Sequence, residues 1–175
     1  MNEESPLSDD FLGTTCQRWE QAAHQFEKLN IRTVIFRIGL VLSSEGGMIK
    51  EMLQPMQYGI APVFGNGKQY LSWIHIDDVC KMFVKAILDN KLKGVFNAVA
   101  PQPLQQRNFN KLLAQITEKK YFTLRIFSIF LKLFIGEMAK IILHGSKVSS
   151  RKIEATGFVF TYPQAGAAIR QVLGK

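Results

Sequence analysis

Near the amino terminus, Phe11, Leu12, Thr15, Cys16, Trp19, Ala22, Ala23 and Phe26 recur at three-and-four spacing. Ser8, Asp9 and Asp10 stand just ahead of them as capping residues, so the pattern predicts an amphipathic helix that Asn30 ends. The period then changes. Arg32-Thr-Val-Ile-Phe-Arg-Ile38 is a short, β-branched run of the kind buried in a parallel sheet. A helix followed by a buried strand is half of a βαβ unit.

Gly39 and the loop Ser43-Ser-Glu-Gly-Gly47 lead into a helix expected over 48–58, with Pro55 bending its later turns. Gly59, Pro62, Gly65 and Gly67 then mark a loop, and 69–76 is short and apolar. Asp77 is expected to cap a helix whose inner face carries Val79, Met82, Phe83, Ala86 and Ile87. Gly94-Val-Phe-Asn-Ala-Val99 reads as another buried strand. Pro101 and Pro103 precede a helix over 107–118, and helical stretches are expected near 126–143 and 149–155. Gly157 suits a helix C-cap, Phe158-Val-Phe160 a short strand, and a last helix reaches Leu173. The order is α/β first and mostly helical and basic afterwards.

Composition narrows this without redirecting it. The chain has 175 residues, 47% of them hydrophobic, which suits one domain or a large piece of a bigger protein and leaves no room for two catalytic domains. Its formal net charge of +8 is uneven, because the acids Glu3, Glu4, Asp9, Asp10 and Glu20 gather at the start. A basic remainder suits an anionic ligand, nucleic acid or a membrane surface without choosing among them. Cys16 and Cys80 lack metal-ligand spacing, so no disulfide scaffold or zinc site is expected, and a reducing cytoplasm is the default. The acidic start does not resemble a secretory signal, and Arg125, Lys132, Glu137 and Lys140 break the stretch 121–143 that comes nearest to a membrane span.

Four groups of residues invite a chemical reading. Gly65-Asn-Gly67 lacks the third glycine and the strand-to-helix setting of a dinucleotide fingerprint, so a tight turn is the better account; no phosphate-binding P-loop occurs. Ser72, His75, Asp77 and Asp78 resemble a catalytic triad in composition only, because Ser72 and His75 point to opposite faces of a strand. Trp73-Ile-His-Ile nonetheless sets a polar ring among apolar neighbours, as small-molecule pockets do. Arg37 closes an apolar strand at the end where open α/β sheets bind ligands, so it meets either a ligand or a structural ion-pair partner. Lys132, Lys140, Lys147, Arg151 and Lys152 lack regular aromatic interleaving, which favours a solvated helix face over a nucleic-acid groove.

Taken together, Arg37-Ile-Gly-Leu-Val-Leu42, Gly65-Asn-Gly-Lys-Gln69, Ser72-Trp-Ile-His-Ile-Asp-Asp78, Phe96-Asn-Ala-Val-Ala-Pro101, Gly136-Glu-Met138 and Ala155-Thr-Gly-Phe-Val-Phe-Thr-Tyr-Pro163 resemble one family. It is the epimerase-like group of extended short-chain dehydrogenases/reductases, the NAD-dependent epimerase/dehydratase type with a C-terminal helical region. The likeness implies a partial Rossmann-like parallel sheet over 1–100 and a small, mostly helical substrate-side region over 101–175. It also implies that this chain corresponds to the C-terminal, substrate-binding part of a cytoplasmic NAD- or NADP-dependent oxidoreductase similar to the nucleoside-diphosphate-sugar epimerases, since the glycine-rich cofactor cradle is not in the sequence.

The family's Tyr-x-x-x-Lys pair falls, by alignment through Trp19-Glu20, on Leu12 and Cys16, neither of which can do that acid/base work. No catalytic residue is therefore assigned, and the isolated chain is expected to be inactive. Arg37, Ile38, Gly39 and Leu40 are the implied cofactor contacts, because the family meets the nicotinamide carboxamide through backbone there. Gln69, Trp73 and His75 are the candidate substrate contacts. Leu40 and Leu71 replace the asparagine and arginine with which UDP-sugar epimerases grip the diphosphate, which weakens the case for a UDP-sugar substrate. A homodimer through the helical segment 8–29 is a further expectation. The competing function is a non-catalytic module that holds a protein or anionic partner with the residual pocket or the basic end.

Overall fold

The computed structural model describes residues 1–129, 133, 136, 139 and 143–175. Helix α1, Phe11–His24, starts where Asp10 accepts the Gly13 amide at 2.8 Å. It runs on through a 3₁₀ segment, Gln25–Leu29, to Asn30, whose left-handed backbone (φ 59°) turns the chain into strand β1, Val34–Ile38. Next come β2 (Leu40–Leu42), α2 (Met48–Gln57), β3 (Ile60–Phe64), β4 (Tyr70–Leu71), β5 (Trp73–His75), α3 (Ile76–Leu88) and β6 (Gly94–Ala98). The remainder contains β7 (Leu104–Gln105), α4 (Gln106–Thr117), β8 (Phe122–Ile126), α5 (Arg151–Glu154) and α6 (Ala165–Val172).

Pairing is mostly parallel. β1 runs beside β6 with Val34 opposite Gly94 and Ile38 opposite Ala98, and β2 runs beside β5 with Leu40 opposite Trp73. β3 pairs parallel with β8, while β4 and β7 form a short antiparallel pair. Gly39 is the step between the first two ladders: its amide donates to Ala98 O at 3.1 Å, and the next amide, Leu40 N, donates to Ser72 O at 2.8 Å. A side chain at position 39 would collide with the Ser72 carbonyl and with Val99, so only glycine lets the strand change partners there.

Alternation along β5 divides the interior into two cores. Trp73 faces one with Leu42, Ile49, Met52 and Met56, joined by Phe109 and Leu113 of α4 and Ile169 of α6. Ile74 faces the other with Val79 and Met82 of α3, Phe96, Ile153, Phe158 and Phe160. The sheet is thus covered on both faces, as parallel strands require, and residues before and after position 100 build the first core together.

The structure departs from the sequence pattern at four places. The stretch read as a loop around Gly59, Pro62, Gly65 and Gly67 contains strand β3, with Pro62 opposite Leu124 of β8. His75, not Asp77, caps α3: its ring Nδ1 accepts the Asp77 amide at 3.1 Å. Residues 122–126, next to the stretch expected to be helical, form β8, and the greater part of 126–143 lies outside the described residues. Phe158-Val-Phe160 is a loop rather than a strand, its two phenyl rings packed edge-to-face with centroids 5.0 Å apart. That loop is latched by Asp78, a buried residue whose Oδ1 and Oδ2 accept the Thr161 and Tyr162 amides at 2.7 and 3.0 Å.

Candidate functional site

In a parallel ladder alternate residues of a strand bond to each neighbour. Thr33 O and Gly39 N bond to β6, so the odd-numbered positions of β1 serve that ladder and Val34, Phe36 and Ile38 aim their backbone groups at the other edge. Among the described residues no strand pairs there. At the carboxyl end of this edge a cavity of about 580 Å³, lined mostly by apolar atoms, opens between α1 and β1. Cys16, Trp19, Glu20, Arg37, Ile38 and Asn97 are among the residues of its wall, and Met1, Asn2, Ser5, Pro6 and Leu7 supply another part.

Arg37 lies on the Ile35 side of β1, under α1, and its charge is answered from that helix. Nε and Nη2 donate to the two Glu20 carboxylate oxygens at 2.7 and 2.8 Å, and Nη1 donates to the Glu3 carbonyl at 3.1 Å. This forked pair holds the Glu20 carboxyl below its ordinary range, chiefly through the hydrogen bonds from Arg37, and raises Arg37 in turn. Of the two partners the sequence leaves open for Arg37, the structure contains the ion pair, set in the cavity wall. The Glu3 carboxylate accepts the Asn97 amide at 2.8 Å, and the Asn97 side chain donates to Ser149 O at 3.2 Å.

The structure brings Arg37, Ile38 and Gly39 together on this cavity and places the other sequence-derived candidates elsewhere. Leu40 packs against the first core. Trp73 is fully buried, its indole donating to Gln102 O at 2.9 Å. His75 is buried too; with Nδ1 accepting, Nε2 carries the proton and donates to Gln171 Oε1 at 2.7 Å, and the ring lies 4.1 Å from that of Tyr162. Gln69 borders a separate hollow of about 230 Å³ with Phe64, Gly65, Asn66 and His144, and donates to Phe64 O and to Gln106 Oε1. Ser72 Oγ donates to Ser146 O and accepts Val148 N, stapling that segment to the sheet. Of the residues aligned with the family's acid/base pair, Cys16 is exposed at the cavity wall and Leu12 is exposed on α1.

Sequence reasoning missed Glu20, Glu3 and Asn97. Glu20 had a signal, since it lies one helical turn beyond Cys16 and shares its face. Glu3 and Asn97 had none. Among the described residues no group of three or more His, Cys, Asp or Glu could hold a metal ion, and no helix is long and apolar enough to cross a membrane.

Comparison with known proteins places this geometry. The chain is 37% identical over 169 residues to the epimerase family protein SAR0825 of Staphylococcus aureus (strain MRSA252), covering 97% of this chain and 56% of that protein. It spans about half the length of the curated relatives it matches. The solved human epimerase family protein SDR39U1 (isoform 2), determined with NADPH, superimposes with a TM-score of 0.90 at 31% identity over 100% of this chain and 59% of that one. A nucleoside-diphosphate sugar epimerase from Corynebacterium glutamicum gives a TM-score of 0.79 at 31% identity, over 99% of this chain and 33% of the other. The fold is accordingly a Rossmann-like α/β arrangement. A domain of unknown function, DUF1731, matches residues 126–172, and the sequence model of the NAD dependent epimerase/dehydratase family matches residues 15–132, so the chain belongs to that family.

Proposed function

We propose that this chain supplies the nicotinamide end and the substrate side of an NAD(P)-dependent, epimerase-like oxidoreductase whose pyrophosphate cradle lies outside the present sequence. The observation that carries this reading is the cavity at the carboxyl end of β1, opening beside an edge whose backbone donors and acceptors no strand among the described residues pairs. An open α/β sheet binds its ligands at such strand ends. The residues fit a nicotinamide: the wall is largely apolar, and the Ile38 backbone can meet a carboxamide without any particular side chain. They do not fit a pyrophosphate, for which no glycine-rich strand-to-helix turn is present.

The bound dinucleotide supplies hydride exchange with a small-molecule carbonyl or alcohol. The chain's own contributions are positional. Glu20 keeps Arg37 folded against α1 and neutralised, so the cavity floor presents apolar surface and backbone rather than a free cation. Gly39 keeps the floor flat where β1 changes partners. A nucleoside-diphosphate group is not favoured as the substrate handle, because Leu40 and Leu71 offer it no charged donor. The protein works in a reducing cytoplasm under this reading, with Cys16 and Cys80 as free thiols.

Titration calorimetry of NADPH into the chain alone tests the division of labour. No binding in the micromolar range is expected, and micromolar affinity overturns it. A second reading, a non-catalytic module that holds a partner, is favoured by Leu12 and Cys16 at the acid/base positions. NADPH oxidation with a panel of aldehydes and ketones, measured on the chain joined to a cofactor-binding half, separates the two. Turnover supports the oxidoreductase; NADPH binding without turnover supports the module.

A further inference from the structure

The ribbon formed by β3 and β8 presents two unlike faces. Ala61 and Val63 point inward and are buried, Ala61 in the first core. Ile60, Pro62 and Phe64 point the other way, and the parallel register sets Phe122, Leu124 and Ile126 directly beside them. All six are apolar and none is buried; Phe122 is 71% and Leu124 45% exposed. The ribbon is fixed in this attitude, because on the side of β3 away from β8 Asn110 Nδ2 donates to Pro62 O at 2.9 Å and Gln106 Oε1 accepts Phe64 N at 3.1 Å.

The apolar character continues past the ribbon. Tyr58, largely exposed, stands next to Gly59, whose carbonyl accepts the Phe122 amide at 2.7 Å, and the exposed Phe127 and Ile129 follow β8. A contiguous apolar patch on a protein surface marks an interaction site. The border of this one is basic. Lys119 and Lys120, both exposed, lead into β8, the Arg125 guanidinium lies 5.5 Å from the Phe127 ring centroid, and no Asp or Glu occurs between Glu118 and Glu137. Lysine is depleted where proteins meet proteins. At a bilayer its stem lies along apolar groups while the ammonium stays among lipid phosphates. A second copy of the chain would bring a like-charged border against this one, on a molecule whose net charge is +8.

We propose that the outer face of the β3–β8 ribbon, with Tyr58, Phe127 and Ile129 beside it, docks the chain on an anionic membrane surface. Phe122 and Leu124 enter the boundary between headgroups and acyl chains, and Lys119, Lys120 and Arg125 meet the lipid phosphates. The chain lies on the bilayer without crossing it, and among the described residues no helix is long and apolar enough to cross. This attachment is independent of the cofactor reading above.

The test is co-sedimentation of the full chain with sucrose-loaded vesicles, made either of phosphatidylcholine alone or of phosphatidylcholine with about one-third phosphatidylglycerol. Binding to the anionic vesicles is expected to be at least about tenfold tighter than to phosphatidylcholine alone and to weaken as salt is raised. Phe122→Gln combined with Leu124→Gln should weaken it at least about tenfold, and Lys119→Gln combined with Lys120→Gln should weaken it as well. Ile87→Gln, at a position on α3 that is also 71% exposed, should leave it unchanged. Circular dichroism checks that each variant is folded, and the milder Phe122→Trp should shift its emission to the blue on anionic vesicles only. Failure to sediment with anionic vesicles overturns the inference. So does binding that survives the Phe122 and Leu124 pair of substitutions, or that Ile87→Gln lowers equally. A dimer in solution that Phe122→Gln abolishes gives the face to a second copy and overturns the membrane assignment too.

Discussion

Around Trp73, three strands and three helices converge, and aromatic, aliphatic and methionine side chains are buried to the last few per cent. Around Trp19, a helix of comparable length and a strand of comparable hydrophobicity meet, and nothing on the helix is buried. Residue type does not separate the two regions, since each has its tryptophan, its phenylalanines and its amphipathic period. What separates them is the number of neighbours on the far side. A sheet covered on both faces finishes one region, and an edge strand with partners on one side leaves the other open. Hydrophobic content and burial are therefore separate quantities: two segments of like composition differ in how much of each the described residues cover.

Truncation at the two sites gives the widest contrast. Phe109→Ala in the finished core should lower the unfolding free energy in urea by about 3–5 kcal/mol, whereas Trp19→Ala, at a side chain 70% exposed, should change it by no more than about 0.5 kcal/mol. A large loss at Trp19 would mean that α1 is packed in solution. Next in size, Asp78→Asn replaces an oxygen that receives a backbone amide with an amino group that cannot accept one. The same urea experiment should show a loss of about 2–4 kcal/mol.

Glu20→Gln probes the forked ion pair in the open region. Its carboxyl is held below the ordinary range in the folded chain, so its contribution is present above the unfolded value and is lost as pH falls through the lowered folded one. The substitution should cost about 1–2 kcal/mol at neutral pH, and stability followed through the acid range should fall less steeply than in the parent chain. An unchanged acid limb would remove the clamp from the account. Smallest of all is an effect without any change in stability: hydrogen exchange at Phe36 and Ile38 should run at least about tenfold faster than at Ile35 and Arg37. Equal protection along β1 would show that its second edge is covered.

Much of this was readable in advance. α1 and β1 follow from the change of period at Asn30, and β6 follows from the short apolar run after Gly94, whereas no pattern marked β2 and β3 as strands. Cap preferences pointed to Asp77, but the ring nitrogen of His75 is also an acceptor and sits two positions earlier. In β8, Phe122, Leu124 and Ile126 alternate with Thr123 and Arg125 beside a long apolar stretch of helical character, and the shorter period was hidden by the longer. The cavity was legible only in its β1 wall. Glu3 reaches Asn97 across 94 positions, and no local pattern records which distant carboxylate will answer an edge amide.

Asp78 has a consequence for the order of events during synthesis. The amides it holds come 83 and 84 positions later, whereas the two strands of the β1–β6 pair are complete by Ala98. A nascent chain can therefore close that ladder and the first turn of α3 while the carboxylate is still hydrated, and it dries the site only when Thr161 and Tyr162 arrive. Loss of the last residues by early termination would leave a formed sheet with a charged group facing its second core.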